Sequence, residues 1–203
     1  MQVMSKLSRF RGSRLWNGLV VAAGGAIGVL AAFMLSLEAL WRALDPNYIP
    51  SCDVDSKLSC SEVAGAWQSA LITLPGGHPV PNAFIGLPGF AVIVTIGVVM
   101  ACGWRAPAWF TWCFRAGVLV AFGFSTWLLE QSLFSIGAMC PWCLTMDAGM
   151  VVCMIGAVRL WAIDKPDDHA TAWRWTVGLQ SVLIEVLAAA VLALVVLFGY
   201  MTL

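Results

Sequence analysis

The sequence has 203 residues, of which 61% are hydrophobic and only 11% are charged. A soluble globular domain contains roughly 45–50% apolar and about 25% charged residues, so this chain is too apolar to cover its own surface in water. Its basic and acidic residues balance to a net charge of zero, and no excess of positive charge indicates binding to nucleic acid. The composition also excludes a disordered chain and indicates an integral membrane protein.

Five apolar stretches are long enough for membrane-spanning helices, because about 20 apolar residues cross roughly 30 Å of hydrocarbon. The predicted spans are Gly18–Leu37, Ala83–Trp104, Pro107–Leu129, Leu133–Val158 and Trp175–Leu203. Transmembrane strands have about 9–11 residues, so these lengths favour helices. Gly24 and Gly28 form a G-x-x-x-G pair in the first span and predict close packing of that helix.

Positive charges are distributed unevenly between the two sides of these spans. With the N-terminus in the cytoplasm, only Arg42 and Lys57 of the Lys and Arg residues lie on the external side. This bias predicts a multi-pass protein of the inner (plasma) membrane with a cytoplasmic N-terminus. The predicted divisions are a cytoplasmic arm at 1–17, a four-helix domain at 18–161 with an external loop at 43–81, and a link with a fifth helix at 162–203.

Four of the seven cysteines gather on the predicted external side, where disulfides persist. Cys52 and Cys60 lie in the external loop, whereas Cys140 and Cys143 form Cys-Pro-Trp-Cys at the external start of the fourth span. Pro141 suits the first turn of a helix, so Cys140 is predicted near its cap, where the helix N-terminus stabilises a thiolate. The other cysteines fall within spans and are predicted to be ordinary apolar side chains: Cys102, Cys113 and Cys153.

A second helix start is predicted beside Cys60. Ser59-Cys60-Ser61-Glu62 has the form of a capping box, and apolar residues at helical spacing follow over 63–74. The pattern predicts a short amphipathic lid helix that ends at Pro75-Gly76-Gly77, with Cys52 on a flexible acidic loop before it. One thiol on a mobile loop and another on a lid helix, both near a C-x-x-C, predict a disulfide relay between two cysteine pairs.

A relay of this kind needs an electron acceptor. The sequence contains no G-x-G-x-x-G or other nucleotide-phosphate motif, so a nicotinamide or flavin is not indicated. The C-x-x-C lies at the predicted lipid interface, which favours a lipid-soluble acceptor, and a quinone meets that requirement.

With these motifs, the chain resembles bacterial homologues of vitamin K epoxide reductase. The resemblance runs from about residue 18 to residue 159 and rests on the Cys52 and Cys60 loop, on Asn82-Ala83-Phe84-Ile85-Gly86 entering the second span, and on Cys140-Pro141-Trp142-Cys143. DsbB-type oxidoreductases carry these cysteine motifs in the reverse order. The resemblance implies an all-α integral membrane protein, with a four-helix transmembrane bundle of that family plus a fifth transmembrane helix.

The resemblance also implies the chemistry, in which a thioredoxin-like or DsbA-like protein supplies electrons to the loop pair. A reduced partner opens a Cys52–Cys60 disulfide, and Cys60 then attacks Cys140. Cys143, the deeper thiol, reduces menaquinone or ubiquinone, and the net result supports disulfide formation in exported proteins. Many bacterial members continue into a fused thioredoxin-like domain, whereas this chain ends at Leu203, so we expect the partner to be a separate protein.

Two polar residues are predicted to contact the quinone. Asn82 stands where the family has a hydrogen-bonding Asn, although a turn role after Pro81 also explains it. Asp147 lies one helical turn below Cys143 and is predicted to relay a proton to the quinone, or alternatively to pack as a hydrogen-bonded acid.

Two other functions stay open on the sequence. The protein could carry structural disulfides without catalysis, or its four external cysteines could form a tetrahedral zinc site. The C-x-x-C suits zinc, but Cys52 and Cys60 are widely spaced, and an oxidising compartment disfavours four thiolates.

Overall fold

The computed structural model describes residues 2–45 and 47–163 of the chain. The helices are α1 (Gln2–Leu44), α2 (Cys60–Gly65), a 3-10 turn (Trp67–Ser69), α3 (Asn82–Ala101), α4 (Ala108–Gln131), a π-helical turn (Ser132–Ile136) and α5 (Pro141–Ile163). Two short strands, β1 (Ile72–Leu74) and β2 (His78–Val80), lie between the 3-10 turn and α3. The predicted link and fifth helix at 162–203 fall almost wholly outside the described residues.

Within the described residues, four helical segments are long and apolar enough to cross a membrane, as predicted: Arg14–Leu44, Asn82–Ala101, Ala108–Ile136 and Pro141–Leu160. The predicted start of the fourth span at Leu133 was wrong. Residues 132–136 instead close the third span, and Gly137 then takes a φ of 75°, a left-handed backbone that glycine adopts readily. A short non-helical segment that carries Cys140 therefore separates the two spans, a break that hydropathy alone does not register.

Helix α1 packs against both α3 and α5, and α4 packs against α5. Glycines on α1 allow the close approach: a Cβ at Gly24 would lie 2.6 Å from the backbone nitrogen of Cys153, and one at Gly28 would lie 2.2 Å from the Phe90 ring. The predicted close packing at Gly24 and Gly28 is confirmed, as expected where van der Waals contact holds membrane helices together. The buried core comprises Val21, Phe90, Met100, Phe114, Val118, Met150, Cys153, Ala157 and Leu160.

The segment between α1 and α3 contains the predicted capped helix start. Ser59 Oγ accepts a hydrogen bond from the backbone N–H of Glu62 at 3.2 Å, so α2 has the predicted N-cap. Asp53 adds a contact that the sequence did not indicate, since its carboxylate accepts the N–H of Ser61 at 2.9 Å. The helix ends at Gly65, after six residues.

The prediction that this lid helix continues over 63–74 was wrong. Strand β1 occupies the end of that stretch and pairs antiparallel with β2. Gly76 and Gly77 reverse the chain between the strands with φ values of 100° and 84°. A short run of apolar residues fits either a helix or a hairpin strand, and here the Gly-Gly turn favours the hairpin.

Candidate functional site

Three cysteines form a buried cluster at the end of the bundle where α3 and α5 begin. Cys52 and Cys60 are joined in a disulfide, and the Cys60 Sγ lies 3.2 Å from the Cys140 Sγ. Cys140 and Cys143 are free thiols. Only 5% of Cys52, 3% of Cys60 and 1% of Cys140 is exposed, so bulk solvent has little access to the sulfur atoms. The two pairs predicted from the sequence are thus brought together at Cys60 and Cys140.

A short parallel pairing of two chain segments aligns these two cysteines. Two backbone hydrogen bonds, of 2.8 and 3.0 Å, join residues 57–59 to Met139. They form an isolated parallel bridge between Leu58 and Met139. Cys60 follows the bridge by two residues and Cys140 by one, so the backbone pairing sets the separation of the two sulfur atoms.

Hydrogen bonds hold the residues immediately before and after Cys52, whereas the sequence predicted a flexible loop there. The preceding Ser51 donates its hydroxyl to Glu38 Oε1 at 2.6 Å, and its N–H lies 3.3 Å from the same oxygen. The following Asp53 accepts hydrogen bonds from both the N–H and the hydroxyl of Ser61. The acidic side chains around Cys52 therefore fix the disulfide, and the sequence had singled out neither Glu38 nor Ser51.

Hydrogen bonds shift the pKa of Asp53, next to the cysteine cluster, and the pKa of Cys140 within it. Partial burial acts to raise the pKa of Asp53, but hydrogen bonds from residues 59–61 outweigh it and lower the pKa. A hydrogen bond from the Cys143 thiol, together with the backbone N–H of Cys143 at 3.3 Å, lowers the pKa of Cys140 against the effect of burial. The fold thus favours the thiolate of Cys140, the form that takes part in disulfide exchange.

Cys143 and Asp147 lie one turn apart on α5, as the sequence predicts. The Ser125 hydroxyl on α4 donates a hydrogen bond to Asp147 Oδ1, so the carboxyl group connects two membrane helices. A packing role and a proton-transfer role both agree with this contact. The role of Asp147 in quinone reduction stays a prediction.

Asn82 begins α3, and its side chain holds the segment between α1 and α3 in position. Its Nδ2 donates to the Gln68 carbonyl at 2.7 Å, and its Oδ1 accepts the N–H of Leu71 at 3.3 Å. The amide nitrogen has a second N–H, so a contact with quinone is compatible with this geometry and stays a prediction. Gln68, which the sequence did not single out, is only 4% exposed and donates to Gln131 at 3.2 Å.

The Cys52–Cys60 disulfide argues against the alternative of a zinc site formed by four cysteines. A Cys₄ site needs four thiolates, but the Cys52–Cys60 disulfide removes two of the four sulfur atoms from that ligand set. Within residues 2–45 and 47–163, no group of three or more His, Cys, Asp or Glu side chains could hold a metal ion.

The remaining cysteines lie away from the cluster. Cys153 is fully buried in the core of the bundle, nearly three turns along α5 from Cys143. Cys102 and Cys113 are exposed on the protein surface as free thiols. Cys113 and Cys153 lie within helices, as predicted, whereas Cys102 lies one residue beyond the end of α3. That all three are ordinary apolar side chains stays a prediction.

One comparison with known proteins identifies a family. The vitamin K epoxide reductase family matches the chain over residues 19–158, which is more than half of its length. The matched region contains both cysteine pairs and nearly all of the four described spans. Among curated proteins, none matches the sequence.

Proposed function

Because the chain belongs to the vitamin K epoxide reductase family, whose members are membrane thiol oxidoreductases that work with quinone, we propose that it oxidises a DsbA-like or thioredoxin-like partner and reduces a membrane quinone. The observation that carries the proposal is the 3.2 Å separation of the Cys60 and Cys140 sulfur atoms. Direct exchange between the two cysteine pairs needs this contact.

Electrons enter at the Cys52–Cys60 disulfide. A partner thiolate attacks Cys52, forms a mixed disulfide with it and releases Cys60 as a thiolate. Cys60 then attacks Cys140 of the oxidised C-x-x-C pair, which forms a Cys60–Cys140 bond and releases Cys143 as a thiolate.

The cycle closes in two further exchanges. The second thiol of the partner resolves the mixed disulfide, so the partner leaves oxidised and Cys52 becomes a thiolate. Cys52 attacks Cys60, which restores the Cys52–Cys60 disulfide and frees Cys140. The lowered pKa of Cys140 supports this step, because a more stable thiolate is a better leaving group.

The reduced C-x-x-C then delivers its two electrons to the quinone. Cys140 and Cys143 form their disulfide again, and the quinone takes two protons to become a quinol. We assign quinone contacts to Asn82, through its second amide N–H, and to Asp147, as a proton donor one turn below Cys143. Menaquinone and ubiquinone both suit this chemistry.

The proposed orientation has the N-terminus in the cytoplasm and the cysteine cluster on the external side of the inner membrane. The Lys and Arg bias of the sequence supports it. An external cluster also lies in a compartment where disulfides persist. The proposed catalytic unit is the four-helix domain at 18–161.

The proposal is tested with purified full-length protein, a reduced DsbA-like protein as electron donor, and short-chain menaquinone or ubiquinone as acceptor. Quinone absorbance is expected to fall as the partner is oxidised, and Cys143→Ala is expected to reduce that rate to background. Cys102→Ala and Cys113→Ala are matched controls that keep the parent rate. Normal turnover in Cys143→Ala protein contradicts the mechanism.

The same preparation distinguishes the structural-disulfide alternative. A protein with purely structural disulfides keeps Cys52–Cys60 in one state and consumes no quinone. Alkylation of free thiols followed by mass spectrometry is expected to find both pairs in mixed redox states during turnover. A single unchanging state of both pairs would overturn the relay.

A further inference from the structure

Glu38 is a buried carboxylate near the end of the first membrane span. Its side chain is only 7% exposed, and it lies in the last two turns of α1. A carboxylate at this depth is costly unless hydrogen bonds compensate for lost water, so intramembrane acids usually have a specific task. The task is indicated by what Glu38 contacts.

The carboxylate holds the chain immediately before Cys52. Glu38 Oε1 accepts the Ser51 hydroxyl at 2.6 Å and lies 3.3 Å from the Ser51 N–H. Glu38 thus attaches the cysteine-bearing loop to a transmembrane helix, whereas Asp53 attaches it to α2 within the external segment.

The surroundings of Cys52 combine a buried sulfur with exposed apolar neighbours. Cys52 is 5% exposed, but Ile49 is 77% exposed and Val54 is 68% exposed. A protein partner can bury these two apolar side chains and use the binding free energy to displace the loop. A small thiol has no comparable binding free energy, so it must wait for the loop to open by itself.

We propose that Glu38 is a specificity-determining positioning residue, which holds Ser51 so that the Cys52–Cys60 disulfide opens to a docked protein thiol and resists small thiols such as glutathione. The inference rests on the proposed function, in which a protein partner attacks Cys52. In the unwanted reaction, a glutathione thiolate attacks Cys52, forms a glutathione–Cys52 mixed disulfide, breaks the Cys52–Cys60 bond and releases Cys60 as a thiolate.

The first test measures that unwanted reaction in the full-length protein without quinone. Samples treated with glutathione are quenched in acid, and mass spectrometry follows the glutathione adduct on the Cys52 peptide. Glu38→Ala is expected to increase the rate about tenfold, the factor that follows from losing one hydrogen bond to a charged group. Glu38→Gln keeps an oxygen acceptor for Ser51 and is expected to remain within about threefold of the parent.

Two further variants make the result interpretable. Ser51→Ala removes the hydroxyl that donates to Glu38. Ser51 is exposed, so this variant tests the same hydrogen bond if Glu38→Ala fails to fold. Glu130→Ala is the matched control, since Glu130 is exposed on α4 and hydrogen-bonds its neighbour Gln131. Equal glutathione rates in the parent, Glu38→Ala and Ser51→Ala overturn the proposal.

The second test measures specificity. The rate constant for a reduced DsbA-like protein is divided by that for glutathione, and the ratio is expected to fall about tenfold in Glu38→Ala. An unchanged ratio contradicts a role in specificity. The glutathione reaction requires neither quinone nor a protein partner, so its outcome is independent of whether the protein reduces quinone. Failure of the proposed role of Glu38 and failure of the proposed function are therefore recognised separately.

Discussion

Cys60 and Cys140 are 80 positions apart in the sequence, yet their sulfur atoms lie 3.2 Å apart. Two features of the backbone produce this contact. The parallel bridge between Leu58 and Met139 aligns the two segments, and α5 begins directly after Cys140 at Pro141. Helix N–H groups therefore face one sulfur atom of the pair, and the backbone positions the other beside it.

The contact between Cys60 and Cys140 predicts which disulfide accumulates when the proposed relay is interrupted. In Cys143→Ala protein, Cys140 has no partner in its own pair, and its thiolate lies 3.2 Å from Cys60 of the Cys52–Cys60 disulfide. Attack of Cys140 on Cys60 breaks the Cys52–Cys60 bond and releases Cys52 as a thiolate, so a Cys60–Cys140 cross-link is expected to become the major disulfide-linked species without added oxidant. Digestion under non-reducing conditions and mass spectrometry identify the linked peptides.

A matched substitution checks that this cross-link depends on the relay. Cys153→Ala removes a buried cysteine elsewhere on α5 and is expected to leave the native Cys52–Cys60 pairing unchanged. If Cys143→Ala yields no peptide linking Cys60 to Cys140, the two pairs communicate by another route.

The hydrogen bonds of Asp53 predict that the stability of the loop carrying the Cys52–Cys60 disulfide depends on pH. Although partial burial acts to raise its pKa, hydrogen bonds from residues 59–61 lower it, so the folded loop favours the carboxylate. Its stabilising contribution is fully present above the ordinary Asp pKa of about 3.9 and is lost as the pH falls through the lowered value. Asp53→Asn is therefore expected to weaken the loop at neutral pH and to have little effect in strong acid.

The measurement is the rate at which a phosphine reductant opens the Cys52–Cys60 disulfide. The ratio of the Asp53→Asn rate to the parent rate is expected to be about 3 to 10 at pH 7. It is expected to fall towards one as the pH drops below the ordinary Asp pKa of about 3.9 and through the lowered pKa of Asp53. Using a ratio cancels the pH dependence of the reductant itself. Asp45→Asn, a change at an exposed acid between α1 and α3, is the control. A pH-independent ratio for Asp53→Asn argues against a role of the Asp53 carboxylate in holding the loop.

Local sequence signals predicted the parts of the site that local chemistry determines. Ser59 caps α2, and Pro141 starts α5, because capping hydrogen bonds and the fixed φ of proline involve only neighbouring residues. Hydropathy found the four described spans because bilayer thickness sets their length. The meeting of Cys60 with Cys140 came from the family resemblance, since nothing in their spacing encodes a bridge between distant segments.

The residues that were missed depend on contacts across the fold. Glu38 is one acid near the end of a long apolar helix, and from the sequence alone it has the pattern of an ordinary interfacial charge. Its contact with Ser51 exists only because the chain turns back on α1 within 13 residues. Gln68 was missed for the same reason, because its hydrogen bond to Gln131 joins segments 63 positions apart.

The close packing of α1 against its neighbouring helices can be tested by replacing one of its glycines. Gly28→Ala would put a methyl group 2.2 Å from the Phe90 ring, so α1 and α3 must separate or the ring must move. A destabilisation of about 1–3 kcal/mol is expected, measured as a lower midpoint of thermal unfolding in detergent. Gly117→Ala on α4 is the matched control, because a Cβ there meets open space and the change favours helix by about 0.5–1 kcal/mol. Equal midpoints for the two variants contradict the close contact.

The last prediction concerns Asp147, whose carboxyl group lies one turn below Cys143 and accepts the Ser125 hydroxyl. Quinone reduction consumes two protons, and a carboxyl group at this position can supply one of them. Asp147→Asn keeps an oxygen that Ser125 can donate to, but an amide does not titrate. The variant is expected to reduce quinone at least about tenfold more slowly and with a flatter pH profile, because general acid catalysis is lost.

Two measurements distinguish a proton-transfer role of Asp147 from a packing role. The rate of mixed-disulfide formation with the DsbA-like partner is expected to be unchanged in Asp147→Asn, since the proposed mechanism places that exchange at Cys52. Ser125→Ala breaks the same interhelical hydrogen bond while leaving a titratable carboxyl group, so it is expected to keep the parent pH profile. If Ser125→Ala and Asp147→Asn slow quinone reduction equally and both keep the parent pH profile, Asp147 serves packing, and the protons of the quinol reach it from external water.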